Sequence, residues 1–211
     1  MNSKNYQSKR LSLFNHKIKF VKNISNEKIK KSAIFFDRDG VLIDDVHYIS
    51  KPLDVKILSG VRELLKISNK AGWLNIVITN QSGISKGLLD WDDYEKVTCQ
   101  MINLLGDESQ IDAIYANSTP PNEKFLKNNW RKPNPNMIFE AINDFNINLN
   151  DSILIGDRLT DLLSAKNAGL KKFIHVLTGH GEKERDNILN LFSESYKNDE
   201  LLIMNNLSDF K

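Results

Sequence analysis

Short apolar runs that stop abruptly at polar or charged residues punctuate this chain. Ala33 to Phe36 is apolar and aromatic, and Asp37-Arg38-Asp39-Gly40 follows at once. Leu74 to Thr79 ends in Asn80-Gln81-Ser82-Gly83. Ile111 to Ala116, Ile153 to Ile155 and Lys172 to Leu177 repeat the pattern, with a weaker run near Leu201 to Ile203. Runs of this length, rich in β-branched and aromatic residues, predict buried strands.

Helical spacing fills the gaps between the runs. From about Gly60, Val61, Leu64, Leu65 and Ser68 share one face, with Ser59 as the expected N-cap and Ala71-Gly72 as the stop. Asp90 is placed to cap a helix from Trp91 to about Leu105, with Tyr94, Val97, Met101 and Leu105 as its stripe. Asn134-Pro135 should open the next, which buries Met137, Ile138, Ala141, Ile142 and Phe145. Thr160 to Ala168, ended by Gly169, and a segment near Arg185 to Tyr196 complete the set. Alternating strands and helices predict a single α/β domain, doubly wound and Rossmann-like, around a mainly parallel sheet. Only 42 positions separate Asp37 from Thr79, and a loop, a helix and a strand consume them, so no large cap domain fits there.

Charge divides the chain unevenly. Residues 1–31 carry nine Lys/Arg and one Glu, a net +8, whereas residues 32–211 are net −6. The first segment reads as a solvated basic N-terminal extension, although Ile18, Phe20 and Ile24 could dock as an added strand or against the core. It lacks interleaved aromatics or glycine and arginine repeats, so nucleic acid is not the expected partner. No apolar run approaches the roughly 18 residues of a membrane span, and there is no secretory h-region. The lone Cys99 sits inside a helix stripe and permits no internal disulfide. A cytoplasmic monomer is expected.

The strand ends carry the chemistry. Asp37 and Asp39 on one loop offer a nucleophile, a proton shuttle and a cation site. Thr79 and Asn80 supply hydroxyl and amide donors. Arg131-Lys132 stand just before a helix, and Asp157 and Asp161 form a second acidic pair. These are the groups that metal-assisted phosphoryl transfer requires. Carboxylates and a phosphate meeting at ~4 Å repel by about 4 kcal/mol per pair at an effective dielectric of 20, so a divalent cation is implied.

Taken in order, DRDGV, TNQSG, RKPNP and GDRLTD resemble the motifs of the haloacid dehalogenase (HAD) superfamily of aspartate-nucleophile phosphatases. TNQSGISKG and RKPNPNM are most similar to the histidinol-phosphate and D-glycero-D-manno-heptose 1,7-bisphosphate phosphatase group, over about Ser32 to Val176. The resemblance implies a Mg²⁺-dependent sugar-phosphate phosphatase. Asp37 would form an aspartyl-phosphate and Asp39 would serve as general acid and base. Thr79, Asn80 and Lys132 would hold the phosphoryl oxygens. Mg²⁺ would be bound by the Asp37 carboxylate, the Asp39 carbonyl and Asp157, with Asp161 one shell further out. Asp45, Val46, His47 and Tyr48, then Gln81, Ser82, Arg131 and Arg158, would surround the sugar or its second phosphate.

Many members of that group also carry a zinc loop of cysteines and histidine. Here those positions read Ala116, Asn117, Ser118 and Asn128, Asn129, Trp130, so no zinc is expected. Trp130 and Phe125 would order the loop by packing instead. The leading expectation is a heptose bisphosphate phosphatase. Histidinol phosphate, a nucleic-acid 3′-end or a catalytically silent binding role are the rivals.

Overall fold

The structure is a computed structural model that describes residues 6–9, 16–22, 30–123 and 129–210. Phe125, Asn128 and Ile24 lie outside the described residues. Eight strands form one sheet: β1 (Tyr6–Lys9), β2 (Lys17–Lys22), β3 (Ala33–Phe36), β4 (Leu74–Asn80), β5 (Ala113–Asn117), β6 (Ile153–Gly156), β7 (Lys172–Val176) and β8 (Glu200–Met204). Their order is β1-β2-β5-β4-β3-β6-β7-β8. β1 and β2 pair antiparallel, as do β2 and β5, while β3 to β8 are mutually parallel.

Among the described residues six α-helices connect and flank the strands: α1 (Val61–Lys70), α2 (Ser82–Ser85), α3 (Trp91–Leu105), α4 (Asn136–Asp144), α5 (Leu159–Ala168) and α6 (Gly181–Ser195). Alternation along β3 sends Ile34 and Phe36 to one face of the sheet and Ala33 and Phe35 to the other. The first face buries Val61 and Leu65 of α1 and Tyr94, Val97 and Met101 of α3. The second buries Met137 and Ile138 of α4, Leu162 of α5 and Ile188 of α6. Apolar burial on both faces is why β3, β4 and β6 read as continuous hydrophobic runs rather than alternating ones. No helix among the described residues is long and apolar enough to cross a membrane.

β5 runs Ala113–Asn117 where the sequence predicts Ile111 to Ala116, several other ends shift by a residue, and three helix starts depart for identifiable reasons. α1 starts after Gly60 at φ +80, and the Ser59 hydroxyl accepts a bond from Ser208 Oγ instead of capping. α4 starts at Asn136, because Asn134 Nδ2 donates to Arg131 O and holds the preceding turn. α6 starts at Gly181, a turn before Arg185, on a glycine that packs tightly against the Val176 carbonyl. The Asp90 cap of α3 forms as expected, with Asp90 Oδ1 accepting the Asp93 N–H at 2.8 Å.

Instead of the solvated extension expected, the basic first segment contributes two strands to the common sheet, because Ile18 and Phe20 have an apolar cluster to enter. Ile18 and Phe20 of β2 are buried in the same cluster as α1 and α3.

Candidate active site

Every chemistry-bearing segment meets at the C-terminal edge of the parallel strands, where α/β sheets place their sites. Asp37 follows β3 directly, and its N–H continues the ladder to Ile155 O at 3.1 Å. Gly40, at φ +84, lets the chain fold back so that Leu42 and Ile43 both donate to Arg38 O. Thr79 and Asn80 end β4, and Asp157 follows β6. Asp161 lies in the first turn of α5, where a carboxylate is favoured and where its Oδ2 accepts the Arg158 N–H at 3.0 Å.

Lys132 ties these acids together. Its Nζ lies 2.8 Å from Asp37 Oδ1 and 2.7 Å from Asp161 Oδ1, and donates to Ile78 O at 2.9 Å. Asn80 fixes the lysine backbone from both sides: Asn80 Oδ1 accepts the Lys132 N–H at 3.0 Å, and Asn80 Nδ2 donates to Lys132 O at 3.3 Å. The Asn80 amide thus acts on the lysine's main chain. Burial works against the lysine's charge, but Asp161 and Asp37 override it and hold the ammonium above its ordinary pKa.

The carboxylates outnumber that one cation. Burial pushes Asp37 up to about 6, with Asp161 and Asp39 adding to the rise and Lys132 opposing it. Burial pushes Asp157 up to about 8, reinforced by Asp161 and Asp37. Asp157 Oδ2 accepts the His180 N–H at 2.8 Å, but its Oδ1 is buried with no hydrogen-bond partner. Oxygens of Asp37, Asp157 and Asp161 all lie within 4.8 Å of one another. An all-oxygen set that includes an orphaned carboxylate oxygen fits a hard divalent cation such as Mg²⁺. Glycines let the backbone close on it: a Cβ at Gly40 or Gly179 would stand 2.6 or 2.4 Å from Asp157 Oδ2.

Asp39 faces a different set of partners. Both its oxygens accept from Arg38, the closest bond being Nη2 to Oδ1 at 2.9 Å. Arg38 itself is buried, with its guanidinium 4.9 Å from the Tyr94 ring centroid. Gln81 Nε2 links the halves of the site, donating to Asp39 Oδ2 at 2.7 Å and to Thr79 Oγ1 at 2.9 Å.

Above this floor opens a cavity of about 460 Å³. Asp37, Asp39, Asn80, Lys132 and Asp161 line it, as do Asp45, His47, Tyr48, Gln81, Ser82, Arg131 and Arg158. Thr79 and Asp157 are buried outside the lining, and Val46 is an exposed residue beside it. His47 and Tyr48 adopt left-handed backbone angles, at φ +39 and +63. The Tyr48 ring packs on α2, where a Cβ at Gly83 would meet Tyr48 Cδ1 at 2.6 Å. Arg131 Nη1 donates to Thr119 O at 2.9 Å, and burial together with the nearby Arg158 lowers its pKa. Two guanidinium groups that repel each other across a cleft are a natural seat for an anion.

The loop expected to be ordered by packing is anchored at both described ends. Ser118 Oγ lies 3.0 Å from His16 Nδ1, and the buried Trp130 meets Tyr115 edge-on at 5.8 Å.

The HAD-hydrolase-like family matches residues 129–208. The D-glycero-beta-D-manno-heptose-1,7-bisphosphate 7-phosphatase of Haemophilus ducreyi is 36% identical over 170 residues, covering 76% of this chain and 93% of that protein. The D-glycero-alpha-D-manno-heptose-1,7-bisphosphate 7-phosphatase of Burkholderia mallei is 35% identical, covering 67% and 78%. The chain belongs to the HAD-like phosphatases. Among solved structures of such phosphatases, the D,D-heptose 1,7-bisphosphate phosphatase of B. bronchiseptica, complexed with magnesium and phosphate, superposes with a TM-score of 0.71 at 26% identity. That match covers 84% of this chain and 94% of the other.

Two further residues of this HAD-like phosphatase, outside the expected site set, line the cavity. His180 lines the cavity, and its Nε2 lies 3.1 Å from Asp45 Oδ2. Its signal was its place after β7, between two glycines, at the functional edge of the sheet. Lys86 also lines the cavity, with its Nζ bonded to Tyr48 OH and 5.0 Å from that ring's centroid. Nothing in its local sequence separates it from a solvated surface lysine.

Proposed function

We propose that this chain removes the 7-phosphate from D-glycero-D-manno-heptose 1,7-bisphosphate. One observation carries the reading. The Asp37–Lys132–Asp161 cluster, beside the buried Asp157 with its orphaned oxygen, lines the same cavity as Arg131 and Arg158. In this reading the cluster takes one phosphate and the two arginines take the other. The cavity volume suits a sugar bisphosphate rather than a polymer end.

In this reading Asp37 is the nucleophile. Its carboxylate attacks the phosphorus of the 7-phosphate, the bond to the sugar oxygen breaks, and Asp39, as general acid, delivers a proton to that oxygen. Asp39 then takes a proton from water. The water oxygen attacks the aspartyl-phosphate, which releases inorganic phosphate and restores Asp37. Lys132 balances charge on the phosphoryl oxygens and keeps Asp37 oriented. The Thr79 hydroxyl, fixed by Gln81, donates to one of those oxygens. Asp37, Asp157 and the Asp39 carbonyl would hold Mg²⁺, with Asp161 behind them. Bound there, Mg²⁺ supplies Lewis-acid charge at the transferring phosphoryl group. Arg131 and Arg158 clamp the second phosphate, while Tyr48, His47 and Asp45 bound the sugar. No zinc is needed: Ser118 and Trp130 are already engaged by His16 and Tyr115.

Phosphate release is the test, with Mg²⁺ and with chelator. The substrates are both anomers of the heptose bisphosphate, histidinol phosphate and a 3′-phosphorylated oligonucleotide. A heptose bisphosphate should give the highest kcat/KM, and Asp37→Asn should abolish turnover in a folded protein. Preference for histidinol phosphate or the oligonucleotide would overturn the substrate. An active Asp37→Asn protein would overturn the mechanism.

A further inference from the structure

The segment that ends in Arg131-Lys132 is gripped from outside the catalytic unit. Strand β2 lies along β5, with Lys17 opposite Asn117 and Val21 opposite Ala113. Beyond that ladder, His16 reaches the start of the connection: Ser118 N–H donates to His16 O at 2.8 Å, and the His16 ring meets Ser118 Oγ at 3.0 Å. Lys17 reaches its end, with Nζ 5.0 Å from the Trp130 ring centroid. Lys19 reaches past it to α4, with Nζ 2.8 Å from Glu140 Oε1 and 2.8 Å from Asp144 Oδ2. His16, just before β2, and Lys17 and Lys19 on it therefore touch both described ends of the connection and the next helix.

We propose that β2 is a strap that sets the position of Arg131 over the substrate, with His16 and Lys17 as its positioning residues. The inference rests on the reading that Arg131 holds the second phosphate. Arg131 follows Trp130 directly, and its guanidinium is braced on Thr119 O, one residue after Ser118. Both braces of Arg131 are thus one residue from a β2 contact. Lys132 is fixed separately, by Asn80, Asp37 and Asp161. Loosening the strap should therefore move the anion clamp while the phosphoryl chemistry stays in place. A guanidinium displaced by about 1 Å loses much of its bidentate grip on phosphate.

The test uses the full chain carrying His16→Ala with Lys17→Met, which leaves the β2 ladder and its apolar side chains intact. Two substrates are compared: the heptose bisphosphate and p-nitrophenyl phosphate, which has no second anion. KM for the bisphosphate should rise about tenfold, the combined worth of a cation–π contact and a hydrogen bond. Its kcat and the turnover of p-nitrophenyl phosphate should change by less than about twofold. His16 kept with Lys17→Arg should restore the wild-type KM. Amide exchange at Ser118, Thr119 and Arg131 should quicken in the double variant, while β3 and β6 stay protected. Unchanged KM, or equal losses on both substrates with a lowered Tm, would overturn the strap. If the wild type hydrolyses p-nitrophenyl phosphate but no heptose bisphosphate, the substrate reading falls. The exchange result alone then decides the strap, and unaltered exchange would end it.

Discussion

Lys132 Nζ stands 2.8 Å from Asp37 Oδ1, and both side chains are buried. An ammonium and a carboxylate so placed stabilise each other only as a set, because removing one strands the other in a low-dielectric interior. Lys132→Met should lower kcat by about 10³-fold through loss of transition-state charge balance. It should also cost the metal-free protein about 3–5 kcal/mol. Turnover and urea unfolding measure the two effects, and added Mg²⁺ should recover part of the stability but little of the rate.

The metal-free protein should lose stability as pH rises from about 4 to about 8. Asp37 and Asp157 are held near 6 and 8, above the 3.8 of a free aspartate. Between these values the folded state keeps protons that the unfolded chain has released, so raising pH favours unfolding. Mg²⁺ needs the ionised carboxylates and should flatten that slope. At one hundred times its Kd it adds about 2.7 kcal/mol. Thermal melts at pH 5, 6.5 and 8, with chelator and with Mg²⁺, check both signs.

Gln81 Nε2 spans Asp39 and Thr79, at 2.7 and 2.9 Å. Gln81→Leu should free both side chains and lower kcat by about 10²-fold, the scale of a mis-set proton-transfer group. KM should change far less. Steady-state kinetics with the bisphosphate separate the two.

Gly83→Ala should raise KM and spare kcat. Its Cβ would meet Tyr48 Cδ1 at 2.6 Å and Leu89 Cδ2 at 2.4 Å, so the Tyr48 ring must move. In the proposed reading that wall bounds the sugar, and no aspartate is among the nearest neighbours of the added Cβ. Comparison with p-nitrophenyl phosphate, whose kinetics should hold steady, checks that assignment.

What could be read ahead of the structure followed from local chemistry. Ala33–Phe36 has the bounds its apolar run implies, since nothing polar can sit in a layer covered on both faces. Asp90 capped its helix because Asp93 lies three residues on. Asp37 and Asp157 each follow a strand and Asp161 opens α5 at one edge, and Lys132 reaches Asp37 and Asp161 from the turn before α4. The rest depended on distant partners. Lys17-Ile18-Lys19-Phe20 alternates like a strand, but its pairing with β5, about a hundred residues away, has no local signature. His180 and Lys86 enter the cavity through tertiary contact with Asp45 and Tyr48, which spacing does not encode.

Strand β2 has one more consequence. A polypeptide cut back to begin at Ser32 would leave the main-chain groups along one side of β5 without their mates. The open flank would carry Ile114 and Ala116 facing a vacated hydrophobic bed that Ile18 and Phe20 had filled. Such a margin is a template for pairing with another molecule. Shortened material would therefore self-associate at concentrations where the intact protein stays in solution, even with every catalytic group still in its native place.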